Sequence, residues 1–259
     1  MLRETSSSES APPCATPSDG VPTAVIVQAR MGSTRLPGKV LADVAGRPLI
    51  AHVVERARRI RGADEVALAI PDLVEDDALA EVGAGLGLRV VRGPADDVLA
   101  RYLAAATATD ADVVVRLTGD CPLLSPAVSS DVLAASAGFD YASNTLERTY
   151  PRGLDTEVIT AEALGIAARE ADQPAEREHV TPFVWRQPHR FRLRSVRGAL
   201  DHSALRWTVD EPADLELVRA IHDEFGDEPF DMPDILALLE RRPELAAINA
   251  GVAQKPVDS

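Results

Sequence analysis

AVIVQARMGSTRLPGKVL, residues 24–41, runs a short apolar strand straight into a loop that is both small and positively charged. The strand, AVIVQA (24–29), is apolar without alternation, as a strand buried on both faces is. The loop gathers Arg30, Arg35 and Lys39 around Gly32, Ser33, Thr34 and Gly38. Of the chain's 27 basic residues only two are lysines, Lys39 and Lys255. A lysine in a chain that otherwise uses arginine supplies a compact point charge instead of a planar fork. Clustered cations repel one another unless an anion lies between them. Small residues that follow a strand expose backbone N–H groups, which bind phosphate oxygens. The loop reads as a polyphosphate site, and the competing reading is a solvated surface loop. It is not a Walker A loop: Gly32 and Gly38 stand one residue too far apart, and Val40 replaces the magnesium-binding hydroxyl residue. No G-x-G-x-x-G dinucleotide fingerprint occurs either.

Working outward, three more apolar strands follow: EVALAI (65–70), LRVVRG (88–93) and DVVVRL (112–117). Helices are expected over 48–62, where Leu49, Val53 and Ala57 share a face, then over about 75–85 and 96–107, and from Ser125 onward. Apolar strands each followed by a helix predict an α/β domain, a mostly parallel sheet covered on both faces, with ligands bound beyond the carboxyl ends of the strands. After Phe139 the rhythm breaks. Helices are expected over 161–171, from Ala175 with Pro182 bending or ending it, over 211–226 and across PDILALLERR. RFRLRSVRG (190–198) reads as a half-exposed strand and LRWTV (205–209) as a final core strand.

The 259 residues are 46% hydrophobic but only 4% aromatic, so the core must be built from Val, Leu, Ile and Ala. A net charge of −14 argues against nucleic acid and anionic membranes as partners. Two cysteines, Cys14 and Cys121, offer neither a disulfide framework nor zinc-site spacing, and no apolar run is long enough for a membrane span. A cytoplasmic protein is expected. Residues 1–21, rich in Ser, Pro and Thr, and residues 250–259 read as loose tails around one domain, 22–249.

Two further constellations carry chemistry. RLTGDCPLL places Thr118, Gly119 and Asp120 just past the fourth strand, where Gly119 admits a ligand to the backbone; Asp120 is either a magnesium ligand or a turn residue. LRWTVDEPADL places Asp210 after the last core strand, as a second metal carboxylate or a helix N-cap. Magnesium takes one or two protein carboxylates plus substrate phosphates, so two strand-end aspartates facing a cationic loop are the minimum for phosphoryl chemistry. Asp97 and Arg101 either line a base pocket or form an i,i+4 pair at a helix start. In YPRGLDTEV, Arg152, Asp155 and Glu157 would meet an acceptor, Asp155 and Glu157 sharing a strand face, or form a dimer contact. His179 is an acceptor contact or a structural histidine; Trp185 and Trp207 read as core or interface.

ARMGSTRLPGKVL, LTGDCP and VDEPADL together resemble the CMP-sugar synthetases, cytidylyltransferases of the CMP-KDO synthetase type. YPRGLDTEV and EREHVTPF are similar to their SpsF-like branch, named for spore-coat polysaccharide biosynthesis. The resemblance covers roughly 24–225 and departs from the CMP-KDO enzymes at Thr118, where those carry Gln. It implies the nucleotide-diphospho-sugar transferase (GT-A-like) α/β/α sandwich. It implies transfer of CMP from CTP, or of a nucleotide from another NTP, to a sugar or sugar-acid acceptor, with Mg2+ as cofactor. By resemblance Arg30, Arg35 and Lys39 hold the triphosphate, and Asp120 and Asp210 hold Mg2+; Gly32, Ser33, Thr34, Arg101, Thr118 and Gly119 are expected to lie against the nucleotide. Residues 139–200 would form an acceptor and homodimer region. Two rival readings are a glycosyltransferase of similar fold and a non-catalytic nucleotide-binding subunit.

Overall fold

The computed structural model describes residues 20–253. Nearly all of the expected N-terminal tail, with Cys14, lies outside the described residues, as does the end of the C-terminal one, with Lys255. In chain order the elements are β1 (Thr23–Gln28), β2 (Asp43–Val44), β3 (Arg47–Pro48), α1 (Leu49–Ala57), β4 (Glu65–Pro71), α2 (Asp77–Gly85), β5 (Arg89–Gly93), α3 (Val98–Ala108), β6 (Val113–Thr118) and α4 (Pro126–Ala135). There follow β7 (Tyr141–Ser143), β8 (Glu157–Thr160), α5 (Ala161–Glu170), α6 (Pro174–His179), α7 (Pro182–Trp185), β9 (Leu193–Ser195), α8 (Pro212–Phe225), α9 (Met232–Arg241) and α10 (Pro243–Ala247).

The main sheet runs β5-β4-β1-β6-β8-β7-β9. The first four strands in that order are parallel; β8 is antiparallel to both neighbours, and β9 lies parallel to β7. β1 sits at the centre, with Val27 opposite Leu68 on one side and Leu117 on the other. Its residues 24–27 are at most 1% exposed, which is why the run is apolar without a break. Val25, Val27, Leu68 and Leu117 face α1, α4, α8 and α9, whereas Ala24, Ile26, Val114 and Ile159 face α3, α5 and α7. Two cores on two sheet faces make the three-layer α/β/α sandwich that the sequence predicts. Each fully buried Val or Leu contributes about 1.5–3 kcal/mol. Buried Tyr102 on α3 satisfies its hydroxyl by donating to Leu117 O at 2.8 Å.

Three expectations need correction. LRWTV is not a strand of the sheet: Arg152 N donates to Leu205 O (3.0 Å), Trp207 N to Arg152 O (2.6 Å) and Val209 N to Asp120 O (2.8 Å), so its partners are loops. The strand expected over 190–198 shrinks to Leu193–Ser195. The helix expected to break at Pro182 breaks earlier, at Val180 (φ 73, ψ −55), and Pro182 instead occupies the first turn of α7, where its missing N–H costs nothing. Among the described residues no helix is long and apolar enough to cross a membrane.

Candidate active site

The basic loop leaves β1 and folds back on itself, Gly38 N donating to Met31 O at 3.0 Å. Asp76, at the start of α2, anchors it by accepting from Met31 N at 2.7 Å. Among the described residues the amides of Gly32, Ser33, Thr34 and Arg35 make no hydrogen bond, so a run of donors stays open to a ligand. A cavity of about 560 Å³ lies against them at the carboxyl ends of β1 and β6.

Lys39, Asp120 and Asp210 converge in this cavity. The Lys39 ammonium donates to Asp120 Oδ2 at 2.9 Å, Asp210 Oδ1 at 2.8 Å and Val209 O at 2.7 Å. Burial alone would push that ammonium down, but the two carboxylates outweigh it and hold it above its ordinary value. Asp210 also meets Arg35 at 3.0 Å and Arg206 at 2.8 Å. Burial pushes its carboxyl up, yet Lys39, Arg206 and Arg35 bring it down to about 2. The helix-cap alternative for Asp210 falls away because Glu211 caps α8 in a reciprocal pair with Asp214. Asp120 is more than a turn residue: it also accepts from Thr118 Oγ1 at 2.7 Å.

Arg30, Gly32, Ser33, Thr34, Thr118 and Gly119 line the same cavity. Gly119 serves the protein's own packing, since a Cβ there would stand 2.7 Å from Ala29 Cβ. Arg101 does not line the cavity. It is fully buried, and its guanidinium caps the carbonyls of Pro94 and Ala95. Nor does it pair with Asp97, which caps α3 through Ala100 N (2.9 Å) and grips Arg177 of α6.

Of the residues expected to meet an acceptor, Arg152, Asp155 and His179 line the cavity. The guanidinium of Arg152, like that of Arg30, makes no hydrogen bond or ion pair among the described residues, although Asp155 acts on Arg152 through its charge. Asp155 takes both terminal nitrogens of Arg148, at 2.5 and 2.8 Å. Glu157 parts company with Asp155. It lies outside the cavity lining, accepting from Arg116, from Tyr141 Oη at 2.5 Å and from Thr181 Oγ1 at 2.5 Å. Its physical role is to hold Arg116, whose guanidinium also lies over the Tyr102 ring. Gln28 and Arg116 line the cavity and escaped the sequence reading. An arginine inside the apolar run VVVRLT was the available signal, because a charge in a buried strand requires a partner. Trp207 is core, at 1% exposure, while Trp185 is partly buried against the α3–α5–α7 side.

The sequence pattern of the cytidylyltransferase family matches residues 24–225. The chain belongs to the cytidylyltransferase family. It is thereby a nucleotidyltransferase. Among relatives of this cytidylyltransferase, the spore coat polysaccharide biosynthesis protein SpsF of Bacillus subtilis is 33% identical over 230 residues, covering 85% of this chain and 95% of SpsF. A 3-deoxy-manno-octulosonate cytidylyltransferase of Anaeromyxobacter dehalogenans is 49% identical over 117 residues, 44% of this chain and 47% of that one. A solved cytidylyltransferase structure from Leptospira borgpetersenii superposes with a TM-score of 0.84 at 28% identity, covering 92% of this chain and all of that one.

Proposed function

We propose that this enzyme transfers CMP from CTP to a hydroxyl of a sugar or sugar acid and releases pyrophosphate, in the making of a polysaccharide. The observation that carries the reading is the shared cavity, in which one ammonium reaches Asp120 and Asp210 beside a loop of open amides. Those amides and Arg30 receive the triphosphate. Arg35 and Lys39 neutralise the charge that builds on the leaving pyrophosphate, where fixed donors act most strongly. Arg152 and His179 orient the acceptor across the cavity.

Two carboxylates within reach of a single cation fit the donor set of Mg2+, which completes its shell from phosphates and water. Asp120 and Asp210 would hold it, and when bound it supplies charge neutralisation on the phosphate oxygens. A homodimer through residues 139–200 and a cytoplasmic location belong to the same reading.

The test is a screen of the four NTPs against sugar acids, sugar phosphates and neutral sugars, read as pyrophosphate release. CTP with one acceptor class should give turnover that chelation of Mg2+ abolishes. Turnover of a nucleotide sugar without any NTP would favour a glycosyltransferase and overturn the proposal.

A further inference from the structure

The two aspartates that would hold a divalent ion are neutralised from within the chain. All three protons of the Lys39 ammonium are engaged, by Asp120 Oδ2, Asp210 Oδ1 and Val209 O, at 2.9, 2.8 and 2.7 Å. Of these two aspartates Arg35 and Arg206 contact Asp210, on its other oxygen, Oδ2, and each also pairs with a second acid, Glu211 and Asp214 respectively. Among the described residues Lys39 is therefore the group that spans both carboxylates. Its side chain is only 11% exposed, so water screens the contact weakly. A second cation placed between the same two oxygens would press against this ammonium, and like charges at contact distance in a poorly screened site repel strongly.

The ammonium has an alternative position. Lys39 opens a short 3-10 turn, Lys39–Leu41, directly after the loop whose open amides face the same cavity. A polyphosphate on those amides would bring several negative oxygens within reach of its flexible stem. It would also contribute the negative charge that a divalent ion beside Lys39 lacks.

We propose that Lys39 is a resident cation of the two-aspartate site: in the free protein its ammonium stands where the divalent ion would bind, and the metal enters only with a nucleotide whose phosphates draw that ammonium away. The inference rests on the nucleotidyl-transfer reading above. It makes the metal–nucleotide complex, and not the free metal, the species the enzyme recognises. Arg35 has no such role, because it touches one aspartate only.

The probe is Mn2+ binding to the full-length protein, followed by loss of the free-ion electron paramagnetic resonance signal, without turnover. Without nucleotide, the wild type should bind Mn2+ at least about tenfold more weakly than Lys39→Met, and Arg35→Met, which removes a cation from one aspartate only, should gain clearly less than Lys39→Met. Lys39→Gln, which keeps polar donors but no charge, is the second variant should the methionine destabilise the fold. Adding Asp210→Asn to Lys39→Met should remove the gained binding. With CTP present, which itself binds Mn2+, equilibrium dialysis against the same Mn2+–CTP mixture should show excess Mn2+ on the side of the wild-type protein. Equal Mn2+ affinity of the free wild type and both Lys39 variants overturns the inference. A gain on removing Lys39, together with no uptake by the wild type in the presence of CTP, leaves Lys39's occupancy standing and overturns the nucleotide reading instead.

Discussion

At the scale of single residues, the cavity separates cations that are already paired from those that are not. Arg35, Lys39 and Arg116 each hold a carboxylate, whereas Arg30 and Arg152 form no ion pair among the described residues. Lys39→Ala is expected to lower pyrophosphate release by about 10²–10³-fold, the cost of removing one fixed donor from a developing charge. Its circular dichroism should be unchanged; wild-type turnover in this variant would remove Lys39 from the chemistry. Arg152→Ala is expected to raise the acceptor KM by about tenfold or more, the worth of a charge-assisted hydrogen bond, while leaving the KM for CTP in place. A rise confined to the CTP KM would assign Arg152 to the nucleotide. Lys39, Asp120 and Asp210 were legible in the sequence because each follows an apolar run and stands among small or turn-forming neighbours. Arg101 fits neither the base pocket nor the i,i+4 pair with Asp97, because its guanidinium is taken by the carbonyls of Pro94 and Ala95. The true partner of Asp97 is Arg177, 80 positions along the chain, and no local pattern encodes that.

At the scale of elements, the side of the cavity proposed for the acceptor depends on a loop lying against an extended segment. Gly153 has φ +103, and a Cβ there would stand 2.6 Å from Thr208 N and from Trp207 C. Gly153→Ala therefore meets backbone that cannot give way, and it should lower unfolding stability by about 2 kcal/mol or more. Activity should fall as well, because the same contact fixes Arg152 and the segment leading to Asp210. Gly138→Ala is the control: φ is +80 but nothing lies within 4 Å of the added carbon, so only the backbone term of about 1 kcal/mol applies. Equal urea midpoints for the two variants would show that the close approach contributes nothing. This contact explains why LRWTV misled. Its apolar residues are buried as a core strand's would be, with Trp207 and Val209 at 1% and 0% exposure. Its hydrogen bonds go to loops at 152 and 120, and periodicity carries no information about partners. The first four strands were legible because burial on both faces leaves an unbroken apolar run. β7, only three residues long, carries no such signature.

At the scale of the whole molecule, pH reaches the fold through a buried pair on the side of the sheet that carries α1 and α8. His52 and His222 lie in contact with ring centroids 4.4 Å apart and planes tilted by 59°, and His222 packs edge-on against Phe230 at 5.2 Å. Burial first, then His52 and Arg56, push His222 down to about 4; burial also lowers His52, against the opposing contact of its Nε2 with Val44 O. An unfolded imidazole protonates near about 6.5. Between that pH and about 4 the unfolded chain binds the proton that folded His222 refuses, so stability must fall as pH falls through this window. The loss should approach about 2–3 kcal/mol at the acid end. Asp210 acts in a separate, more acidic window: its depressed carboxyl stabilises the fold above about 3.8, and that contribution drains away as pH drops toward about 2. Urea unfolding of the wild type from pH 7 to 4 should show the decline, and His222→Leu, which cannot titrate, should flatten it while leaving the loss below pH 4 intact. An unchanged slope in that variant would move the proton uptake to another group and end the role of this pair.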